Sequence, residues 1–144
     1  MKSIFRSRSF RVALCCLAGA LVGCGSPHEF GQVSGTVSLN GKPLDEVRVM
    51  YLPDPLAGNQ GAHSESVSDG EGKYELVYSR DAQTKGALVG WHRVVIEDIA
   101  AENSRDRYRP IRIREAYSSS AQTPLKFEVV PGEQTFDLEL GGKK

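Results

Sequence analysis

The chain has 144 residues, 40% of them hydrophobic and 25% charged, with 18 basic and 18 acidic side chains and a formal net charge of zero. That length suits one domain able to bury its own core. The balanced charge excludes a protein that holds nucleic acid by bulk electrostatics.

The first thirty residues are distinct from the rest. Lys2, Arg6, Arg8 and Arg11 precede an apolar run from Val12 to about Val22, and no acidic residue appears before Glu29. Eleven residues make a helix of roughly 16 Å, against a bilayer hydrocarbon core of about 30 Å, so the run is too short to remain as a membrane span. A basic head, a short apolar middle and small closing residues predict a secretory signal. An ordinary signal closes in small-x-small and would leave any nearby cysteine incidental. This one closes Leu21-Val22-Gly23-Cys24, which resembles the lipobox of bacterial lipoproteins. The resemblance implies that the Cys24 thiol receives a diacylglyceryl group, that residues 1–23 are cut away, and that fatty acids such as palmitate cap the new amine. Residues 24–31 then form a lipidated tether to the membrane. Cys15 and Cys16 leave with the signal, so the exported domain is expected to fold without a disulfide. Removal of residues 1–23 takes four basic residues and no acidic one, leaving 14 against 18, a net charge near −4.

Beyond the tether the pattern has period two. "VSGTVSL" places Val33, Gly35, Val37 and Leu39 on one face, and Asn40-Gly41 follows as a hairpin turn signal, since both residues tolerate positive φ. "EVRVMYL" resumes with Val47, Val49 and Tyr51 inward, until Pro53 and Pro55 end it. Residues 62–68 predict a polar strand at a sheet edge. A turn on Asp69-Gly70 leads to a strand carrying Tyr74, Leu76 and Tyr78, and "WHRVVIEDI" follows with His92, Val94 and Ile96 on its apolar face. Two last strands carry Leu125, Phe127 and Val129, then Phe136, Leu138 and Leu140, joined through Pro131-Gly132. No 3.6-residue period persists. Seven short strands with polar turns predict a single antiparallel β-sandwich over residues 32–141, with a tail at 142–144. Residues 100–123 carry no strand pattern, and a connection of that length is unusual in one domain; a short helical turn is expected near Arg114–Tyr117.

The residues that define these turns resemble carboxypeptidase regulatory-like domains, within the wider transthyretin-like (prealbumin-like) sandwiches. Val33, Gly35, Val37, Gly41, Pro43 and Leu44 match the first part of that pattern, and Ser68, Asp69, Gly72 and Tyr74 the second. "GALVGWHRVVI" is similar to a third part, with His92 where an aromatic residue is commoner. The resemblance spans residues 31–140 and implies a non-catalytic module.

Catalytic and metal chemistry find little support in the residues. Counting a calcium loop from Asp69 puts Tyr74 where glycine is required and Arg80 where a bidentate glutamate is required. His28, His63 and His92 lack metal-ligand spacing, and His92 is expected as a histidine at the core edge. The one enzyme of the transthyretin fold, 5-hydroxyisourate hydrolase, closes in Tyr-Arg-Gly-Ser, whereas this chain closes Leu140-Gly141-Gly142-Lys143-Lys144. There is no Gly-x-Ser-x-Gly elbow, and a lipidated Cys24 is no nucleophile. The acidic pair Glu97-Asp98 is expected as a solvated strand end. Neither a cofactor nor a small-molecule substrate is therefore expected.

One cluster stands out. Arg105, Arg107, Arg109, Arg112 and Arg114 fall within ten residues around Tyr108. Guanidinium forks bind phosphate and carboxylate in pairs, so the cluster is a candidate anion-binding loop for headgroups or acidic polysaccharide. The alternative is a solvated loop neutralised by Glu102, Asp106 and Glu115. The expectation is a lipoprotein held at the cell envelope, on the periplasmic face of a membrane or at the cell surface, as a structural or interaction module. The second reading is a binding module for an envelope polysaccharide or protein. An exposed groove bearing two or more aromatic side chains would favour sugar.

Overall fold

Alternation along each segment buries one row of side chains, and in the computed structural model those rows meet between two sheets. Residues 28–104 and 110–142 are described; residues 1–27, with Cys24, and 105–109 and 143–144 lie outside them. The fold is all-β. Its strands are β1 Phe30–Leu39, β2 Lys42–Pro43, β3 Val47–Pro53, β4 Ser64–Val67, β5 Lys73–Glu75, β6 Val77–Tyr78, β7 Ala87–Leu88, β8 Gly90–Asp98, β9 Lys126–Val129, β10 Gly132–Thr135 and β11 Leu138–Leu140. A four-residue helical turn follows β8 at Ala100–Asn103, and short 3₁₀ turns cover Pro55–Ala57 and Glu115–Ser118.

The first sheet gathers around β1, which pairs antiparallel with β2, β5 and β7. The second runs β6-β4-β3-β8-β9, antiparallel throughout. Val33 and Val37 from β1, Leu138 and Leu140 from β11, and Val49, Tyr51, Val94 and Ile96 from β3 and β8 close the core. The turns follow their residue chemistry. Asn40 (φ 51°) and Gly41 (φ 77°) both take the left-handed conformation a two-residue hairpin requires. In the next turn it is Gly72 (φ 76°), not Gly70, that supplies the positive φ, and a Cβ there would lie 2.5 Å from the Val37 carbonyl oxygen.

Four expectations need correction. The sandwich is not wholly antiparallel: β1 runs parallel to both β10 and β11. The Pro131-Gly132 join carries the chain from the second sheet at β9 to the first at β10, where it runs beside β1 in the same direction. The strand expected through Tyr74, Leu76 and Tyr78 changes sheets at Leu76, so β5 belongs to the first and β6 to the second. Strand β4 is not the outermost strand of its sheet, because β6 pairs with it at Ser64 and Glu65. The domain also begins earlier than residue 32, since Phe30 and Gly31 already pair with Leu88 and Ala87.

The patternless connection has a structural task. Strand β9 pairs with β8 only over Gly90–Arg93, which leaves the rest of that edge of β8 without a strand. Residues 110–125 cover it. The Thr123 hydroxyl donates to the Val94 carbonyl (2.6 Å), the Ser118 hydroxyl to the Ile96 carbonyl (3.0 Å), and Val94 N–H donates to the Leu125 carbonyl (2.9 Å). Side-chain hydroxyls thereby satisfy an edge that would otherwise be open to pairing with another chain. Ile113 and Tyr117 bury themselves beneath the segment, and the Tyr117 hydroxyl accepts from Gly141 N–H at 3.1 Å. The expected helical turn is the 3₁₀ turn at Glu115–Ser118.

The sandwich has two chemically different ends. At the entry end, Glu29 and Phe30 lie beside Val89 and Leu88, with the Pro53–Gly61 loop and the Val129–Gly132 join. The far end holds Asn40, Asp45, Asp98, Ile113 and Gly142. Nine residues of β8 connect the two, about 26 Å at roughly 3.3 Å per residue.

Candidate functional site

Of the five arginines, Arg105, Arg107 and Arg109 lie outside the described residues; Arg112 and Arg114 lie within them. Arg112 is fixed to the protein itself. Its Nη2 donates to Asp98 Oδ1 at 2.8 Å and to the Asp45 carbonyl at 2.7 Å, its Nη1 to Asp45 Oδ1 at 2.9 Å, and its backbone N–H to Asp98 Oδ2 at 2.7 Å. The Asp98 side chain is only 2% exposed. Asp98 is therefore no solvated strand end, which corrects the expectation for the Glu97-Asp98 pair; Glu97 in turn accepts from Arg48 at 2.8 Å. Burial pushes the Asp98 carboxyl upward, but the Arg112 guanidinium and N–H outweigh it and hold the group below its ordinary range. Arg112 rises reciprocally, chiefly through its hydrogen bonds to Asp98. A guanidinium engaged on both its edges has little left for an external anion. Arg114 is exposed, beside Gly141.

A concavity of about 930 Å³ lies elsewhere among the described residues, on the outer face of the first sheet. Outward residues of β1, Gln32, Ser34 and Thr36, form its floor, with Glu75, Lys85 and Asp137 at its sides. Those charges are internally engaged. Lys85 Nζ lies 2.9 Å from Glu75 Oε1, and the Asp137 carboxylate accepts from the Thr36 N–H (2.9 Å) and hydroxyl (2.7 Å). These bonds from Thr36 hold the Asp137 carboxyl below its ordinary range. Tyr74, the one aromatic residue of the lining, is buried. The concavity lacks the aromatic platform that sugar rings stack upon.

The residues behind the family resemblance all serve local structure. Ser68 is buried, accepting from Val47 N–H (3.2 Å) and donating to the Leu44 carbonyl (2.8 Å). The Asp69 carboxylate accepts from the N–H groups of Glu71 and Lys73, both at 2.9 Å. The Tyr74 hydroxyl donates to the Phe136 carbonyl at 2.7 Å and accepts from Tyr51 at 3.1 Å. Burial pushes the Tyr74 phenol up to about 12 and Tyr51 further still. His92 is buried, as expected at the core edge, and its Nδ1–H donates to the Gly90 carbonyl at 2.9 Å, so Nε2 carries the lone pair. Burial lowers its pKa, the bond to Gly90 opposing only in part. Among the described residues no three histidine, cysteine or acidic side chains gather around a common point suited to a metal.

Reading the sequence missed Asp45 and Trp91 and misjudged Asp98. The two aspartates carried no signal of their pairing, because their shared partner Arg112 lies at least 14 positions away along the chain. Trp91 did carry one: it stands next to inward His92, so alternation sends it outward, and it is 44% exposed. Comparison with protein-family models, with curated proteins and with solved structures found no match.

Proposed function

We propose that the chain is an exported lipoprotein, anchored to the cell envelope through Cys24, whose single transthyretin-like sandwich is a non-catalytic interaction module. The observation that carries this reading is the spacing between the lipobox and the fold. Phe30 enters β1 only six residues after Cys24, so five intervening residues join the acylated position to a sheet. Two or more acyl chains hold a protein stably on a membrane, where one alone gives marginal binding. The turn and core roles of Ser68, Asp69, Gly72 and Tyr74 support the family resemblance. A polar concavity without an aromatic platform favours a protein partner over a polysaccharide.

The test is Cys24→Ser in the full chain. Wild-type protein is expected to carry acyl mass on Cys24 and to fractionate with membranes, while the variant remains an uncut, unacylated precursor. Normal processing and wild-type fractionation of the variant would remove the basis of the proposal. Capture from detergent-solubilised envelope then identifies the partner.

A further inference from the structure

Five large apolar side chains are exposed among the described residues, and three of them, Leu56 (84%), Trp91 (44%) and Val130 (46%), stand at the entry end of the sandwich. Their positions follow from the strand order β3-β8-β9. Trp91 lies on the middle strand. Val130 follows β9 directly and is a diagonal neighbour of Trp91 on the same outward side, since Trp91 pairs with Glu128. Leu56 sits in the 3₁₀ turn just beyond β3, on the opposite flank. That turn is fastened to the tryptophan's own backbone: the Trp91 carbonyl accepts from Asp54 N–H at 2.8 Å and from Asn59 Nδ2 at 2.9 Å. The Asp54 side chain in turn caps the turn through Leu56 N–H at 3.1 Å. The three side chains are thus displayed from three adjacent strand ends on a braced frame.

The chain arriving from residue 24 enters at the same end. The Glu29 backbone carbonyl accepts from Val89 N–H at 2.9 Å, two residues from Trp91, and Phe30 pairs with Leu88. Six residue steps separate Cys24 from Phe30, a reach of at most about 21 Å, shorter than the roughly 26 Å run of β8. We infer that this apolar end is a second, shallow membrane contact, with Trp91, Leu56 and Val130 resting in the headgroup region of the bilayer that holds the Cys24 lipid. This rests on the lipid-anchor reading. Tryptophan favours that depth because its ring is amphipathic. Glu128, exposed between Trp91 and Val130, keeps the contact at the interface and out of the hydrocarbon. Tethering raises the local concentration of bilayer, so three modest apolar contacts suffice to bias the domain's orientation.

Trp91 is the chain's only tryptophan, and its emission reports the contact directly. Full-length protein purified in its acylated form is reconstituted into phosphatidylethanolamine–phosphatidylglycerol vesicles, with or without bromine on the acyl chains. Vesicles are floated and the protein's mass is measured in parallel. Docking predicts emission shifted to shorter wavelength and quenched about twofold by brominated lipid, while a Leu56→Asp/Val130→Asp variant floats and melts like wild type but loses most of the quenching. Three results overturn the inference. Acylated protein that floats, with Trp91 unquenched and open to acrylamide, leaves the anchor standing and removes the contact. Trp91 shielded from acrylamide yet unquenched by brominated lipid assigns the face to a protein surface, such as a second copy. Protein without acyl mass that fails to float removes the anchor, and the contact with it.

Discussion

Replacing Arg112 by alanine separates a structural arginine from a ligand-binding one. The guanidinium makes contacts of 2.7–2.9 Å to Asp98 and Asp45, and Asp98 is 2% exposed. Removing one partner of a buried ion pair costs about 3–5 kcal/mol, because the other charge stays desolvated. Two features lower that figure here. The Arg112 side chain is 20% exposed, and Asp98 keeps backbone donors from Arg112 (2.7 Å) and Ala100 (3.3 Å). A loss of about 2–4 kcal/mol is expected, which for a domain of this size lowers Tm by roughly 8–15 °C. Asp45→Ala should cost about 1 kcal/mol or less, since its carboxylate is 47% exposed and screened by water. The assay is urea unfolding at neutral pH, repeated down to pH 3. Asp98's depressed folded pKa gives stability that is complete above the ordinary aspartate value near 4 and fades as pH falls through the folded value. Arg112→Ala should flatten that acid limb. A loss under about 0.5 kcal/mol with an unchanged acid limb would refute the clamp and return Arg112 to the set available for anions.

Buried His92 has a depressed folded pKa, so its contribution is complete above the unfolded value near 6.5 and diminishes below it; His92→Gln should flatten the fall in stability, by denaturant unfolding, as pH drops below about 6.5. Gly72→Ala places a Cβ 2.5 Å from the Val37 carbonyl oxygen in a left-handed backbone and should cost about 1–3 kcal/mol by denaturant unfolding. Leu138→Ala, at 1% exposure, should cost about 2–5 kcal/mol, and a loss below about 0.5 kcal/mol would contradict its place in the core. Changing Arg105, Arg107 and Arg109 together to serine should leave flotation with anionic vesicles nearly unchanged between about 0.05 and 0.5 M salt, whereas a steep salt dependence confined to the wild type would assign those arginines to an anionic surface.

Period two revealed which face each strand buries, and there the sequence was legible: Val33, Val37, Val49, Tyr51, Val94, Ile96, Leu138 and Leu140 all point inward. The turn residues were equally readable, because positive φ is a property of one or two residues and their neighbours. Partner choice was not. Alternation is the same for a strand with a parallel neighbour as for one with an antiparallel neighbour, so the pairing of β1 with β10 and β11 left no mark. Nor could it show that the run from Tyr74 to Tyr78 changes sheets, since Leu76 is inward under either arrangement. Here the backbone bond from Leu76 N–H to the Val33 carbonyl (2.9 Å) holds the first sheet, while Tyr78 N–H already bonds the Thr84 carbonyl at 2.9 Å. The arginine cluster was visible as composition, but its division into a clamped Arg112 and an exposed Arg114 depends on Asp45, 67 positions away.

The two ends of the sandwich answer different physical problems, and the connection after β8 explains why. Strand β8 outruns its neighbour β9 at the far end, so carbonyls of Val94 and Ile96 would face water or a foreign strand there. The chain spends residues 110–125 closing that edge, with Thr123, Ser118 and Arg112 as the fastenings and Ile113 and Tyr117 as the buried weight. At the entry end β8 is flanked by β9 over Gly90–Arg93 and by β3 from His92 onward, and the Trp91 carbonyl is met by Asp54 N–H. What stays uncovered there is side chain: Trp91, Leu56 and Val130. An edge left open invites aggregation, whereas three apolar side chains on a satisfied backbone can be held safely until they meet a surface. Trp91, Leu56 and Val130 thus stand on strand ends whose backbone is already paired, whereas the far edge of β8 reaches that state only through residues 110–125.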